Sequence, residues 1–260
     1  MISIVGQSLN EGVYVSMAVA GTFLLAGFVK GVVGLGLPTI AMGMLALFMS
    51  PGQAAALLIA PSLVTNVWQM FAGRALGRMF RRLWSMQGAI VVGTIASPVS
   101  VATIDVRLGS AGLGAALVIY SVLGLRAKPL AISESVQQWV SPAVGFVTGV
   151  ITAATGVFVF PAVPYLQAIA LRREELLQAL GLSFTISTIA LFFRLAADES
   201  FFDIQTQVTV GLTAPLVAAL VGMSVGQKLR GKFSEPTFKR MFFLGLCLVG
   251  VHLLLKGIVV

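Results

Sequence analysis

One lysine, Lys30, is the only charged residue between Gly12 and Met49. A cation deep in hydrocarbon costs at least about 2.5 kcal/mol on insertion scales, so a lysine in such a setting is a functional candidate by default. Beside it stand Gly31, Gly34 and Gly36, whose backbone N–H groups would favour an anion if they opened a helix. The chemistry these residues offer is the binding of a negatively charged solute. A competing reading has a short first crossing from which Lys30 snorkels to the headgroups. The residues alone leave both open.

Neutral polar residues form a second constellation. Ser62 and Asn66 in one half of the chain, and Ser183 and Ser187 in the other, are each spaced i, i+4, so each pair shares a helix face. Gln69, Thr65, Thr185 and Thr188 lie next to them, and Thr148, Gly149, Thr152 and Thr155 mark the second half's counterpart of the lysine segment. Such groups either hydrogen-bond between helices, at roughly 0.6 kcal/mol each, or line a polar pathway. Their recurrence at equivalent places favours the pathway. Catalysis has little to work with. The one histidine, His252, sits near the end of the last apolar run, and no carboxylate falls within a confident span, so neither a nucleophile with its base nor a zinc pair is expected. The single Cys247 excludes an intramolecular disulfide and a cysteine metal cluster. No cofactor and no metal is expected, and the chain reads as a non-enzyme.

The elements that must position these residues are membrane spans. The chain is 58% hydrophobic and only 10% charged, with a mean hydropathy of +0.99, whereas soluble domains carry roughly 25% charged residues. The net charge of +8 lies in short clusters between apolar runs, where membrane topology places it, and this argues against nucleic acid. With no Lys or Arg before Lys30, the N-terminus lacks the basic region of a cleavable signal and its first span is expected to be retained.

A repeat organises the spans. Gly27-Phe28-Val29-Lys30-Gly31-Val32 recurs as Gly145-Phe146-Val147-Thr148-Gly149-Val150, and each copy opens a long apolar region. Gly12 to Met49 would be about 57 Å long as one helix, against a hydrocarbon core of about 30 Å, so it must turn at Gly31 to Pro38. Val136 to Leu171 is broken in the same way by Gly156, Pro161 and Pro164. Each broken pair is two short crossings or a re-entrant hairpin. Scored as two elements each, the pairs give an all-α polytopic protein with two repeats, 1–130 and 131–260, of five hydrophobic elements apiece. Five is odd, so the second repeat enters inverted. Alternate threading puts thirteen of the 17 basic residues on one face and leaves Arg107, Arg194, Lys256 and the acidic stretch Asp198 to Asp203 on the other, in accord with the positive-inside rule. Inverted repeats of this kind place a ligand near the midplane, where the discontinuous helices meet.

The stretch Gly27 to Pro38, together with Ser50-Pro51-Gly52-Gln53-Ala54-Ala55-Ala56 and Pro61-Ser62-Leu63-Val64-Thr65-Asn66, resembles the sulfite exporter TauE/SafE family of bacterial membrane permeases. The resemblance covers essentially the whole chain through its repeat. It departs from the family's usual glycine-rich triplet, with Gly34-Leu35-Gly36-Leu37-Pro38 in one half and Thr152-Ala153-Ala154-Thr155-Gly156 in the other. What it implies is a multi-pass protein of the bacterial inner membrane that moves sulfite, sulfonates or related organic anions. The partners expected are a small anionic solute and the lipid bilayer, and a homo-oligomer is compatible with both. The rival readings are an anion channel and a non-transporting membrane scaffold.

Overall fold

The computed structural model describes residues 2–126, 132–198, 213–232 and 234–259. Among them are ten α-helices and no strand: α1 (Ile2–Val33), α2 (Leu37–Leu45), α3 (Pro51–Phe71), α4 (Leu76–Ile95), α5 (Val106–Arg126), α6 (Glu134–Thr155), α7 (Ala162–Ala168), α8 (Arg173–Ala196), α9 (Thr213–Leu229) and α10 (Glu235–Val259). A 3-10 turn, Arg230–Lys232, follows α9. Tyr14–Val33 of α1, then α3, α5, α8 and Pro236–Val259 of α10, are long and apolar enough to cross a bilayer. Their outward faces carry large apolar side chains, among them Leu248 of α10 at 74% exposure and Phe71 of α3 at 66%, a surface suited to lipid. The expected repeat boundary at residue 130 lies outside the described residues, as do Lys128, Glu199 and Asp203.

Local chemistry sets the helix starts that matter. At α3, the Ser50 hydroxyl accepts from Gln53 N–H at 3.3 Å while Gln53 Oε1 accepts from Ser50 N–H at 3.1 Å, and Pro51 fills the first position, a reciprocal cap with a preset φ. The break between α1 and α2 rests on Gly34 and Gly36, at φ 80° and 104°, which a side chain would strain.

The bundle has two chemically distinct ends. At one, Glu175 of α8 pairs with Arg78 at 3.0 Å and Arg172 at 3.2 Å, and Arg82 donates to the Ile169 carbonyl at 3.1 Å. At the other, Asp198 accepts from Ser100 at 2.8 Å and pairs with Arg194 at 3.5 Å, and Lys256 donates to the Leu47 carbonyl at 3.2 Å. The basic connections gather at the first end. Arg107, Arg194 and Lys256 lie at the second.

The halves pair reciprocally. An offset of 118 carries Gly27, Phe28 and Gly31 onto Gly145, Phe146 and Gly149, and one of 133 carries Met86, Ile90 and Gly93 onto Ala219, Met223 and Gly226. The contacts follow both. Gly27 lies against Ala219 as Gly145 lies against Met86; Gly31 meets Met223 and Gly226 as Gly149 meets Ile90 and Gly93; Gly226 meets Phe28 as Gly93 meets Phe146. At each of these glycines a Cβ would run into backbone, so α1 on α9 and α4 on α6 are two copies of one small-residue packing. The helices α3 and α8 touch each other antiparallel, Asn66 with Thr188 and the Met70 carbonyl with Gln178. So do α5 and α10, where Gly114 meets Leu254 and Gly124 meets Phe243.

In the first broken pair, α2 with its flanks runs the length of α10. Gly36 packs on Phe242, Gly43 on Val249, and the Leu47 carbonyl accepts from Lys256, so α2 and its flanks track α10 from the basic end to the opposite one. The two breaks do not face each other, contrary to the expected meeting at midplane. Gly34 lies beside Gln69 and Leu177, and Gly156 beside Met42 and Ala55. Ala55 and Gln69 are about 20 Å apart along α3 at ~1.5 Å per residue. The reason is that each break falls at the far end of a full-length helix, and α3 and α8 cross between the two.

Candidate functional site

The crossing of α3 and α8 carries the site. An offset of 121 maps Ser62 onto Ser183 and Asn66 onto Ser187, so the Asn66–Thr188 contact, Nδ2 to Oγ1 at 3.3 Å, joins nearly equivalent positions of the two helices. It marks the centre of the contact between α3 and α8. Pro61 interrupts the α3 ladder just before this point, and the Thr65 hydroxyl donates back to the Pro61 carbonyl at 2.7 Å.

Lys30 reaches this centre from α1, four residues before the Gly34 break. It is 2% exposed, which rules out snorkelling to headgroups. Its ammonium donates to Thr65 Oγ1 at 3.1 Å and to Asn66 Oδ1. An ammonium has three protons, and among the described residues no carboxylate pairs with it: the ion pairs there are Arg78–Glu175, Arg172–Glu175 and Arg194–Asp198. A buried, hydrogen-bonded cation without a counter-ion is electrostatically incomplete. An anion would complete it.

Among the described residues, buried polar atoms without a hydrogen-bond partner include Ser62 Oγ and Gln69 Oε1 on α3, Ser187 Oγ on α8 and Gln87 Oε1 on α4. A buried hydroxyl left unpaired costs about 1–3 kcal/mol. The Thr148, Thr152 and Thr155 hydroxyls show the usual alternative, each donating at 2.7 Å to a carbonyl one turn earlier in α6.

The residues singled out from sequence thus fall into three groups. Lys30 and Asn66 meet directly. Ser62, Ser187 and Gln69 sit on the crossing helices with unpaired atoms, and Gln69 Nε2 donates at 3.0 Å to both the Gly34 and Leu177 carbonyls; Ser183 accepts from Gln87 at 2.8 Å. Gly31 and Gly149 are packing positions against α9 and α4, and Gly34 and Gly36 make the break. Thr148, Thr152 and Thr155 are buried in α6 with no hydrogen bond to the Lys30 cluster. His252 is exposed, away from the cluster.

Thr65 and Thr188 prove to be direct partners in the cluster, and their signal was adjacency to Asn66 and Ser187. Gln87 carried none, since a single glutamine in α4 does not reveal that it faces α8.

A family model described as "Sulfite exporter TauE/SafE" matches residues 19–253. No curated protein and no solved structure matches the chain.

Proposed function

Since the chain belongs to the sulfite exporter TauE/SafE family, we propose that it carries small sulfur oxyanions or related organic anions across the bacterial inner membrane, binding them at Lys30 between two inverted halves. The observation that carries this reading is the buried Lys30 ammonium, which meets neutral acceptors on α3 and no carboxylate among the described residues. Thr65, Asn66, Ser62 and Ser187 supply oxygen and amide groups around it; Gln69 and Ser183 flank them. Hydroxyl and amide donors suit the oxygens of an oxyanion, and a single cation without a guanidinium fork holds it as a point charge.

Lys30, Thr65 and Asn66 are all buried, which supports access by a parting of helices rather than a standing pore. Alternating exposure in inverted-repeat transporters has this form, one bundle rocking against another around a fixed site. The parallel glycine seams of α1 on α9 and α4 on α6 each join one half to the other, so two mixed units are ready-made rigid bodies. The test is uptake of radiolabelled sulfite by proteoliposomes of the full chain, with methanesulfonate and acetate as competitors. Saturable uptake that sulfonates inhibit and that K30Q abolishes supports the proposal. Uptake by K30Q at the wild-type rate refutes it.

A further inference from the structure

A groove of about 550 Å³ opens at the basic end between α4 and α6, a volume within the range of small-ligand sites. Arg82 and Trp84 line it from α4, and Glu134, Gln137, Gln138 and Ser141 from α6. The i, i+3, i+4, i+7 spacing of the α6 residues makes them one polar stripe on that helix. The groove shares no residue with the Lys30 cluster.

Its polar groups are set for an occupant. Ser141 is 3% exposed and its hydroxyl has no hydrogen-bond partner among the described residues, an arrangement that costs stability until something in the groove pairs with it. Arg82 is held in one posture: Nε and Nη2 donate to Gln137 Oε1 at 3.3 and 2.9 Å, and Nη2 to the Ile169 carbonyl at 3.1 Å. Gln137 is fixed in turn by its own donation to the Ile132 carbonyl at 3.0 Å. The guanidinium is therefore positioned by Nε and Nη2, while Nη1 makes no hydrogen bond among the described residues. Trp84 on α4 and Trp139 on α6 are both exposed, and exposed tryptophans gather at the headgroup level of a bilayer.

We propose that this groove binds the headgroup of a zwitterionic phospholipid with a primary ammonium, phosphatidylethanolamine, its phosphate on Arg82 and Ser141 and its ammonium on Glu134. A guanidinium offers a phosphate paired, directed donors, and the serine hydroxyl adds another. Glu134 opens α6 at the basic end, and Ser141 lies about 10 Å deeper at ~1.5 Å per residue. From the bilayer outward the groove thus presents phosphate-binding groups first and the carboxylate last. That is the order of phosphate and ammonium in this headgroup. The presence of both signs of charge selects against an anionic headgroup, which Glu134 repels, and a trimethylated ammonium has no N–H to donate to the carboxylate. The site stands whether or not Lys30 binds the transported solute, since the two have no residue in common.

The test is native mass spectrometry of the full chain in detergent, titrated with phosphatidylethanolamine, phosphatidylcholine and phosphatidylglycerol of identical acyl chains. The first is expected to bind most tightly, and R82Q to weaken it roughly tenfold, the loss of a charge-assisted hydrogen bond. E134Q is expected to remove the preference for ethanolamine over choline, and S141A to weaken ethanolamine binding a few-fold. R107Q, at the opposite end, and K30Q are expected to bind as wild type does, so this site and the central one can fail separately. Glu134 is exposed and the Ser141 hydroxyl is unpartnered among the described residues, so E134Q and S141A carry the test if R82Q does not fold. Equal binding of the three lipids, or tightest binding of phosphatidylglycerol, would overturn the proposal. So would an ethanolamine preference that survives both E134Q and S141A, since the lipid would then sit elsewhere.

Discussion

Lys30 Nζ and Thr65 Oγ1 lie 3.1 Å apart inside the bundle, one on the first long helix and the other on the helix that crosses its own repeat mate. The threonine hydroxyl accepts this bond and donates its own hydrogen bond to the Pro61 carbonyl, so it has no donor left for a second acceptor nearby. The remaining capacity of the Lys30 ammonium is its third proton.

Replacing Lys30 with methionine separates function from folding. An uncompensated buried charge is costly to keep from water, and removing it offsets the roughly 1–3 kcal/mol of leaving the Asn66 Oδ1 acceptor without its Lys30 donor. K30M is expected to abolish anion uptake while its thermal unfolding midpoint in detergent stays level or rises. A midpoint well below wild type would mean that the lysine serves the fold.

Asn66 offers a sharper test. Its Oδ1 accepts from Lys30 and its Nδ2 donates to Thr188, and aspartate is nearly the same shape. N66D places a carboxylate where the ammonium can take it as an internal counter-ion, in competition with any solute. Sulfite affinity is expected to fall at least tenfold, or about 1.4 kcal/mol, while N66S, which keeps an acceptor and adds no charge, is expected to lose less. Equal losses in the two variants, read from concentration dependence of uptake, would discard the idea that Lys30 binds the anion through its charge.

The reciprocal glycine seams predict matched effects in distant parts of the chain. Gly31 and Gly149 are equivalent, and a Cβ on either would strike backbone, of α9 in one case and α4 in the other. G31V and G149V are each expected to destabilise by about 1–3 kcal/mol or more from overpacking. By contrast, Gly88 has nothing within 4 Å of its Cβ position, so G88A is expected to be neutral or stabilising by about 0.5–1 kcal/mol. Thermal unfolding of the three variants checks this. A large loss in one of G31V and G149V without the other would break the equivalence.

The same glycines show what the chain's letters disclosed and what they hid. Gly27/Gly31, Gly145/Gly149 and Gly222/Gly226 all have the i, i+4 spacing of close helix contacts, a signal in plain view that the proximity of Lys30 drew toward anion binding. The ten helical elements and the gathering of charge were legible because hydropathy and charge are properties of segments. The pairing of Lys30 with Asn66 was not, because it depends on how α1 and α3 are rotated about their axes, and apolar helices surrounded by lipid carry no strong moment to fix that rotation. The choice between crossing and hairpin was equally closed: α2 has nine residues and α7 seven, and only the contacts of α2 along α10 reveal that it travels the length of the bundle.

The two chemically distinct ends make a topological prediction. Arg78 and Arg107 are exposed. Arg78 lies at the end where Glu175 gathers its arginines, and Arg107 where α10 finishes, beside Gly257. With the basic connections facing the cytoplasm, R107C in a Cys247→Ser background is expected to react with an impermeant thiol reagent in intact cells, and R78C only after permeabilisation. Because α3 and α4 connect at the Arg78 end and α4 and α5 at the other, this pair of sites also tests whether α4 crosses, although it is more polar than its neighbours. Labelling of both cysteines from one side would remove α4 as a crossing and, with it, the odd number of elements per half that inversion requires.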